Sequence, residues 1–345
     1  MDALSDVLRV VQLDGAVFLN GEFTAPWCVT SKAESELCAA YLPSFDRVVS
    51  YHLITDGSCW ARLADDENSA IRIEAGELLV VPQGEMHFLG SDLALEPTRS
   101  EPMLAELLEA HPGEVMRIVF GGGGAPTRMV CGFLSCDEVL SNPLLASLPR
   151  LFKIDVSKGL ESAWLASALG FAAAEAADPR SGTASVLAKL SELLFVQAVR
   201  RYIDTLPESE RGWLAALRDR YVGRALSRLH AQPAHSWTVD ELAGNVGLSR
   251  SALAQRFTDL IGQPPMQYLA RWRLRLAARL LRGGKPLTEV AETVGYDSEA
   301  AFSRAFKREF GLPPASWRTS QQSLAALPVS RNEKGEAMPK RYSGI

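Results

Sequence analysis

The chain has 345 residues, 47% hydrophobic and 22% charged, with a net charge of −5, which fits two or three soluble-type domains with full cores. No uninterrupted apolar run approaches the roughly 18 residues of a membrane span, and the start MDALSDVLRVV carries acidic residues where a signal peptide would carry Lys or Arg. Five cysteines, Cys28, Cys38, Cys59, Cys131 and Cys136, form no CxxC pair, so neither a zinc ribbon nor a disulfide framework is indicated and a reducing cytoplasm is the expected compartment.

From about residue 15 to 135, short apolar runs (RVVSYHLI, SCWARL, AIRI, ELLVVP, EVMRIVF) alternate with turn clusters such as TDG, DDENS, EAG and PQGEMH. Gly and Pro at this density predict an all-β barrel or sandwich. The run GGGGAPT at Gly121 lacks the GK[ST] of a phosphate loop and reads as a flexible connection. After SNPLLASLP the pattern becomes helical, first in WLASALGFAAAEA and then in SVLAKLSELLFVQAVRRYI. In the second, Val186, Leu187, Leu190, Leu193 and Leu194 cluster on a face that suits packing on the barrel or pairing with a second copy. From Trp213 onward the chain reads as helices punctuated by Gly and Pro, and the last 25 or so residues read as a polar disordered tail.

The charge is unevenly divided. Arg218 to Arg318 carries 16 Lys and Arg against 9 Asp and Glu, whereas the remainder has 20 basic and 32 acidic residues. Such asymmetry points to a nucleic-acid-facing segment joined to something with a different partner.

That basic segment contains an internal repeat. ELAGNVGLSRSALAQRFTDLIGQPP begins at Glu241 and EVAETVGYDSEAAFSRAFKREFGLPP at Glu289. Glu241, Ala243, Val246 and Gly247 recur 48 residues later, but Ser249, Phe257, Gly262 and Pro264-Pro265 recur after 49, so the second turn has one added residue. Each copy reads as a short helix, a Gly turn, a Ser N-cap and a second helix. Leu253 and Phe257 share one face of that helix, as do Phe302 and Phe306. The opposite face presents Arg250, Ser251, Ala254 and Gln255 in one copy, and Glu299, Ala300, Ser303, Arg304 and Lys307 in the other. Short residues flanking long hydrogen-bonding ones suit entry into a major groove. Between the copies, PMQYLARWRLRLAARLLRGG carries an apolar stripe of Tyr268, Leu269, Trp272, Leu276 and Leu280, with its arginines mostly off it. It makes a strut able to hold two recognition helices about one DNA turn, ~34 Å, apart.

These motifs resemble the AraC/XylS family of bacterial transcription regulators over roughly residues 218 to 319. The resemblance implies a seven-helix domain that places two recognition helices in successive major grooves. By position in the family motif, the base-facing sites fall on Arg250, Ser251, Ala254 and Gln255, and on Glu299, Ala300, Ser303 and Arg304.

In the N-terminal part, GELLVVPQGEMHFLGSD matches a cupin motif at Gly76, Pro82, Gly84 and His87, with Ser91 where that motif usually has Asn. Upstream, YHLITDGSCW supplies His52 alone, and the cupin HxH and its following Glu are missing. A cupin metal site needs about three or four ligands, so His52 and His87 do not make one. The segment is similar to the cupin-type sensor half of the same regulator family, whose landmarks continue in MVCGFLSC and NPLLASLPRLFKI. His52, His87, Trp27, Trp60 and Cys131 are the candidates to line the barrel and meet an effector. Some relatives with this sensor respond to oxidants through cysteine, a part for which Cys131 or Cys28 is the candidate here, and the resemblance favours pairing of copies through the Val186–Leu194 face.

The expected molecule is α+β and multidomain: a degenerate cupin β-barrel (1–145), a helical linker and dimerisation region (146–215), an all-α domain with two helix-turn-helix units (216–320), and a disordered tail (321–345). Its expected function is sequence-specific transcription regulation, controlled by a small-molecule or redox signal, without catalytic residues, metal or cofactor. Expected partners are double-stranded promoter DNA, the effector, a second copy, and RNA polymerase if the protein activates, with no membrane. The alternative is a cupin metalloenzyme, of oxygenase or isomerase type, fused to a helical DNA-binding domain.

Overall fold

A computed structural model describes residues 3–11, 13–32, 38, 47–110, 114–136, 144–156, 167–168, 171, 174–175, 178 and 180–326. The chain divides into two compact units, Met1–Gly223 and Arg224–Ile345. No described helix is long and apolar enough to cross a membrane.

The first unit opens with α1 (Ala3–Val11) and continues through β1 (Asp14–Thr24), β2 (Cys28–Ser31), β3 (Arg47–Asp56), β4 (Ser58–Leu63), β5 (Ile71–Glu74), β6 (Glu77–Val81) and β7 (His87–Gly90). Then come α2 (Glu101–Ala110), β8 (Met116–Gly121), β9 (Pro126–Cys136), β10 (Phe152–Asp155), α3 (Thr183–Thr205) and α4 (Trp213–Arg218). The strands form a six-stranded sheet in the order β10-β6-β3-β9-β1-β8 and a four-stranded sheet in the order β2-β7-β4-β5. Phe23, Ala61, Ile73, Leu89, Met129 and Phe133, drawn from both sheets, share one buried cluster with Trp27 of the β1–β2 connection.

All five expected strand runs are strands. Two elements differ from the sequence reading. EPMLAELLEA forms α2 inside the region expected to be all β. FKID, expected in the helical linker, is strand β10, because Phe152 and Ile154 alternate inward and pair with Val80 and Leu78 of β6. The expected helix WLASALGFAAAEA lies mostly outside the described residues.

The glycine run after β8 is not a loose connection. Gly122 and Gly124 donate their N–H groups to the carbonyls of Thr24 and Ala25, and Gly123 donates to Thr24 Oγ1. A Cβ on Gly121 would sit 1.9 Å from Thr24 O, and one on Gly124 2.6 Å from Ala25 O, so the close approach of two backbones requires glycine.

Helix α3 lies on the outer face of the six-stranded sheet. Leu187, Ser191, Leu194, Phe195, Ala198 and Val199 are its buried side. The seat is made by absent side chains: a Cβ on Gly15 would meet Ala188 O at 2.5 Å, and one on Gly132 would meet Tyr51 Oη at 2.1 Å. Ser191 Oγ–H donates to Leu187 O at 2.8 Å, leaving its lone pairs to accept from the Tyr51 hydroxyl at 2.5 Å.

The second unit is helical. It takes most of α5 (Val222–Ala231), then α6 (Val239–Val246), α7 (Arg250–Ile261), α8 (Pro265–Arg282), α9 (Leu287–Thr293), α10 (Glu299–Phe310) and α11 (Pro314–Ala326). Leu253, Phe257, Trp272, Phe302 and Phe306 are fully buried at its centre. Phe306 packs edge-on against Phe302 and Trp317, each with ring centroids 5.5 Å apart. Helix α11 extends to Ala326, six residues into the expected tail, and residues 327–345 lie outside the described residues.

Gly132→Ala is expected to lower stability by about 1–3 kcal/mol, because the new methyl group displaces Tyr51 and presses on Ala16 O. Chemical denaturation checks this; an unchanged midpoint would mean that the helix seat has slack.

Candidate functional site

The barrel interior holds a line of polar side chains among apolar ones. Strand side chains alternate faces, so β3 sends Ser50, His52 and Ile54 inward while β9 sends Met129, Cys131 and Phe133. His52 pairs in register with Cys131, and its Nδ1 lies 2.9 Å from Cys131 Sγ. Its Nε2 lies 2.7 Å from His87 Nε2, and His87 Nδ1 lies 2.8 Å from Glu85 O.

Those distances assign the protons. Glu85 O can only accept, so His87 Nδ1 carries a hydrogen and its Nε2 is a lone pair. His52 must then donate from Nε2 and accept at Nδ1, which leaves the Cys131 thiol as the donor to Nδ1. The chain therefore runs Cys131 S–H to His52, His52 N–H to His87, and His87 N–H to a backbone carbonyl, with every member neutral. Burial holds His87 down at about 4 and His52 well below the usual histidine value, with the neighbouring His87 lowering His52 further. Burial also raises the Cys131 thiol, and Cys59 beside it is pushed up to about 12. Cys28 is raised too, chiefly by burial. Neither Cys131 nor Cys28 is a thiolate in this state.

Three of the five expected sensor residues, His52, His87 and Cys131, are thus brought together. Trp27 is buried nearby in the same core, stacked on Phe23 at 4.5 Å between centroids. Ser91, standing where the cupin motif has Asn, ties that segment down: its Oγ accepts from Trp27 N–H at 2.9 Å. Trp60 does not join them. In SCWARL the inward positions are Cys59, Ala61 and Leu63, so Trp60 points outward and is 40% exposed. Ser50 is a buried polar residue on the inner face of β3 that the sequence reading missed; its hydroxyl and the Trp27 indole N–H have no hydrogen-bond partner among the described residues. Among the described residues, no group of three or more His, Cys, Asp and Glu is placed to hold a metal ion.

On α3, Leu187 and Leu194 are buried against the barrel side. Val186 is exposed, and Leu190 and Leu193 are partly exposed.

In the second unit both repeat copies form the expected helix pairs. Ser249 caps α7 by accepting from Ala252 N–H, and Ser298 caps α10 by accepting from Ala301 N–H. Arg250, Ser251 and Gln255 are exposed and Ala254 is half-buried; Glu299, Ala300, Arg304 and Lys307 are exposed and Ser303 is half-buried. Some of these groups already have internal partners. Arg250 meets Asp240 at 3.3 Å, Gln255 donates to Asp259 at 2.7 Å, and Glu299 accepts from Thr288 at 2.9 Å. No hydrogen bond or ion pair within the described residues engages the side chains of Arg304 and Lys307. The strut α8 spans 18 residues, about 27 Å at 1.5 Å per residue. Its arginines were expected off the apolar stripe, yet Arg273 and Arg275 are half-buried, and Arg282 stacks over Trp317 and donates to Gln321.

The comparisons with known proteins agree with both halves. A cupin family model matches residues 2–204, and a helix-turn-helix domain model matches residues 242–320. A Streptomyces antibioticus protein named as an AraC-like transcription regulator is 31% identical over 92% of this chain and 98% of its own length. The HTH-type transcriptional regulator AlkR of Acinetobacter baylyi is 30% identical over 94% of this chain and all of its own. The RCS-specific HTH-type transcriptional activator RclR of Escherichia coli K12 is 28% identical, again over 94% of this chain and all of its own. These three relatives, each matched over nearly all of its own length, are named as transcription regulators, which sets the DNA-binding regulator above the cupin-enzyme alternative. The chain belongs to the AraC family of transcription regulators, with a cupin-type N-terminal domain and a helix-turn-helix DNA-binding domain at its C-terminal end.

Proposed function

We propose that the Cys131–His52–His87 chain is where this regulator receives its signal, and that α7 and α10 are the helices it inserts into promoter DNA. The observation that carries the DNA assignment is the outer face of α10: two long cations, Arg304 and Lys307, stand exposed, with no side-chain partner among the described residues, on a helix whose other face is buried by Phe302 and Phe306. Phosphate contacts by such cations supply affinity, and a few base contacts supply register. Arg250, Ser251, Ala254 and Gln255 are the corresponding contacts on α7. Ser303, Glu299 and Ala300 complete the set on α10.

For the sensor, a fully neutral, fully hydrogen-bonded chain in an apolar core has two stable responses, staying intact or breaking as a unit. The orphan donors of Ser50 and Trp27 favour a small effector that brings acceptor atoms. An oxidant must first open the barrel, because Cys131 is buried and protonated here. Tyr51 and Gly132 adjoin His52 and Cys131 on the same two strands, so breakage inside would reach Ser191 on α3. Val186, Leu190 and Leu193 would then be the part of that helix left for a second copy in a homodimer, Leu187 and Leu194 being committed to the barrel. The working complex is cytoplasmic and would engage RNA polymerase if the protein activates. The domain limits that go with this reading are 1–145, 146–215 and 216–320, followed by the tail 321–345.

Arg304→Ala is expected to weaken binding to a specific site by about 1–3 kcal/mol, with a smaller loss on random duplex. An equal loss on both in a fluorescence titration would make it a phosphate contact instead. Binding is expected to fall steeply between low and moderate salt, and a flat dependence would contradict contact through this basic unit. The histidine pair gives a pH prediction. The unfolded chain takes up protons near 6.5 while folded His87 waits until about 4, so stability is present above the unfolded value and is lost as pH falls between them. Thermal melts of the wild type should therefore drop across that window, and His52→Gln with His87→Gln should flatten the dependence; an unchanged slope in the double variant would show that the pair is not responsible.

A further inference from the structure

The two helix-turn-helix copies differ where the sequence adds a residue, and the structure shows what that turn meets. In the first copy Leu248 alone separates Gly247 from the Ser249 cap; in the second, Tyr296 and Asp297 separate Gly295 from the Ser298 cap. Both glycines are left-handed, with φ of 84° and 83°. Their surroundings are not alike. A Cβ on Gly247 would meet nothing within 4 Å, whereas one on Gly295 would lie 2.7 Å from both Cα and O of Ala234. The second turn is therefore pressed against the loop that precedes the first copy, between α5 and α6.

Arg273, on the strut α8, closes this junction. Its Nε donates to Pro233 O at 2.6 Å, its Nη2 to His235 O at 2.8 Å and its Nη1 to Gly295 O at 3.1 Å. One planar guanidinium thus holds three backbone carbonyls, two from the loop leading into the first copy and one from the turn of the second. A lysine ammonium, without the planar fork, cannot span that arrangement. A residue on the connecting helix that ties the loop leading into the first copy to the turn of the second constrains the angle and distance between the recognition helices.

We propose that Arg273 and Gly295 form a positioning clamp that fixes the spacing between α7 and α10, and so the spacing of the two DNA boxes this protein accepts. The proposal rests on the reading that both helices enter DNA grooves. Arg273 acts through backbone and not through a base, so it sets which spacing is read, not which letters. One added base pair moves a box by about 3.4 Å and turns it by about 35°, more than a held hydrogen bond tolerates.

The test begins with the full-length wild type, used to select duplexes from a randomised library, and then with affinity titrations on the selected site and on the same site carrying one inserted base pair between boxes. Wild type should lose about 10-fold or more on the insertion. Arg273→Met should bind the selected spacing more weakly, and its insertion penalty should shrink below about 3-fold. A variant that keeps the full penalty overturns the clamp, whether its affinity falls equally on both probes, as a phosphate contact would, or stays the same. If Arg273→Met shows no cooperative melt, Gly295→Ala decides against Gly247→Ala, which meets the same backbone demand without the close neighbour. The clamp predicts a reduced penalty only in Gly295→Ala, and equal penalties in the two overturn it. Selection of a single box by the wild type would instead sink the two-groove reading, and the clamp with it.

Discussion

Two neighbouring register pairs, His52 with Cys131 and Tyr51 with Gly132, tie the inside of the barrel to the helix on its outside. Strand side chains alternate, so consecutive residues on β3 and β9 serve opposite faces with no backbone between them to absorb a displacement. Inside, the two pairs carry a hydrogen-bonded chain that ends on Glu85 O. Outside, they carry a seat with no room for a methyl group and a hydroxyl bonded to Ser191. A sensor needs its recognition chemistry mechanically linked to whatever carries the signal onward, and in the function proposed for this barrel the two register pairs are that link, within a single strand pair.

The DNA-binding unit uses the same economy differently. Its two copies share caps, turns and an aromatic core face, so a duplicated motif gives two similar reading heads. Identical heads would still need a defined separation. In the proposed clamp that separation comes from what the copies do not share, the longer second turn and its contact with Ala234 and Arg273. Several strut arginines that add to the positive charge of this region are engaged in holding the fold. Charge counted along the chain therefore overstates the number of cations available to phosphates.

Legibility followed the range of the interactions. The strand runs, the Ser249 and Ser298 caps and the buried Leu253, Phe257, Phe302 and Phe306 are set by local periodicity, and all were readable. Trp60 was readable too, since Cys59, Ala61 and Leu63 claim the inner face of SCWARL and turn it outward; weighing the aromatic ring above the alternation misplaced it. The polar chain was only half legible. His52, His87 and Cys131 could be nominated singly, but their order and proton directions depend on strand pairing across 79 and 35 residues. Strand β10 and the glycine run were missed for the same reason, because each is held by a distant strand or segment. Arg273 looked like one of several solvated arginines, and nothing local marks it as the one facing three carbonyls.

Signalling by this route requires that the barrel interior and helix α3 move together. Hydrogen exchange on the full-length protein, read at the amides of Leu187 to Phe195, compares the wild type with Cys131→Ala, a change confined to the inner face. Coupling through the two register pairs predicts faster exchange in that stretch of α3 when the thiol is removed. Exchange that changes only in β3 and β9, leaving the helix at its wild-type rate, would contradict it.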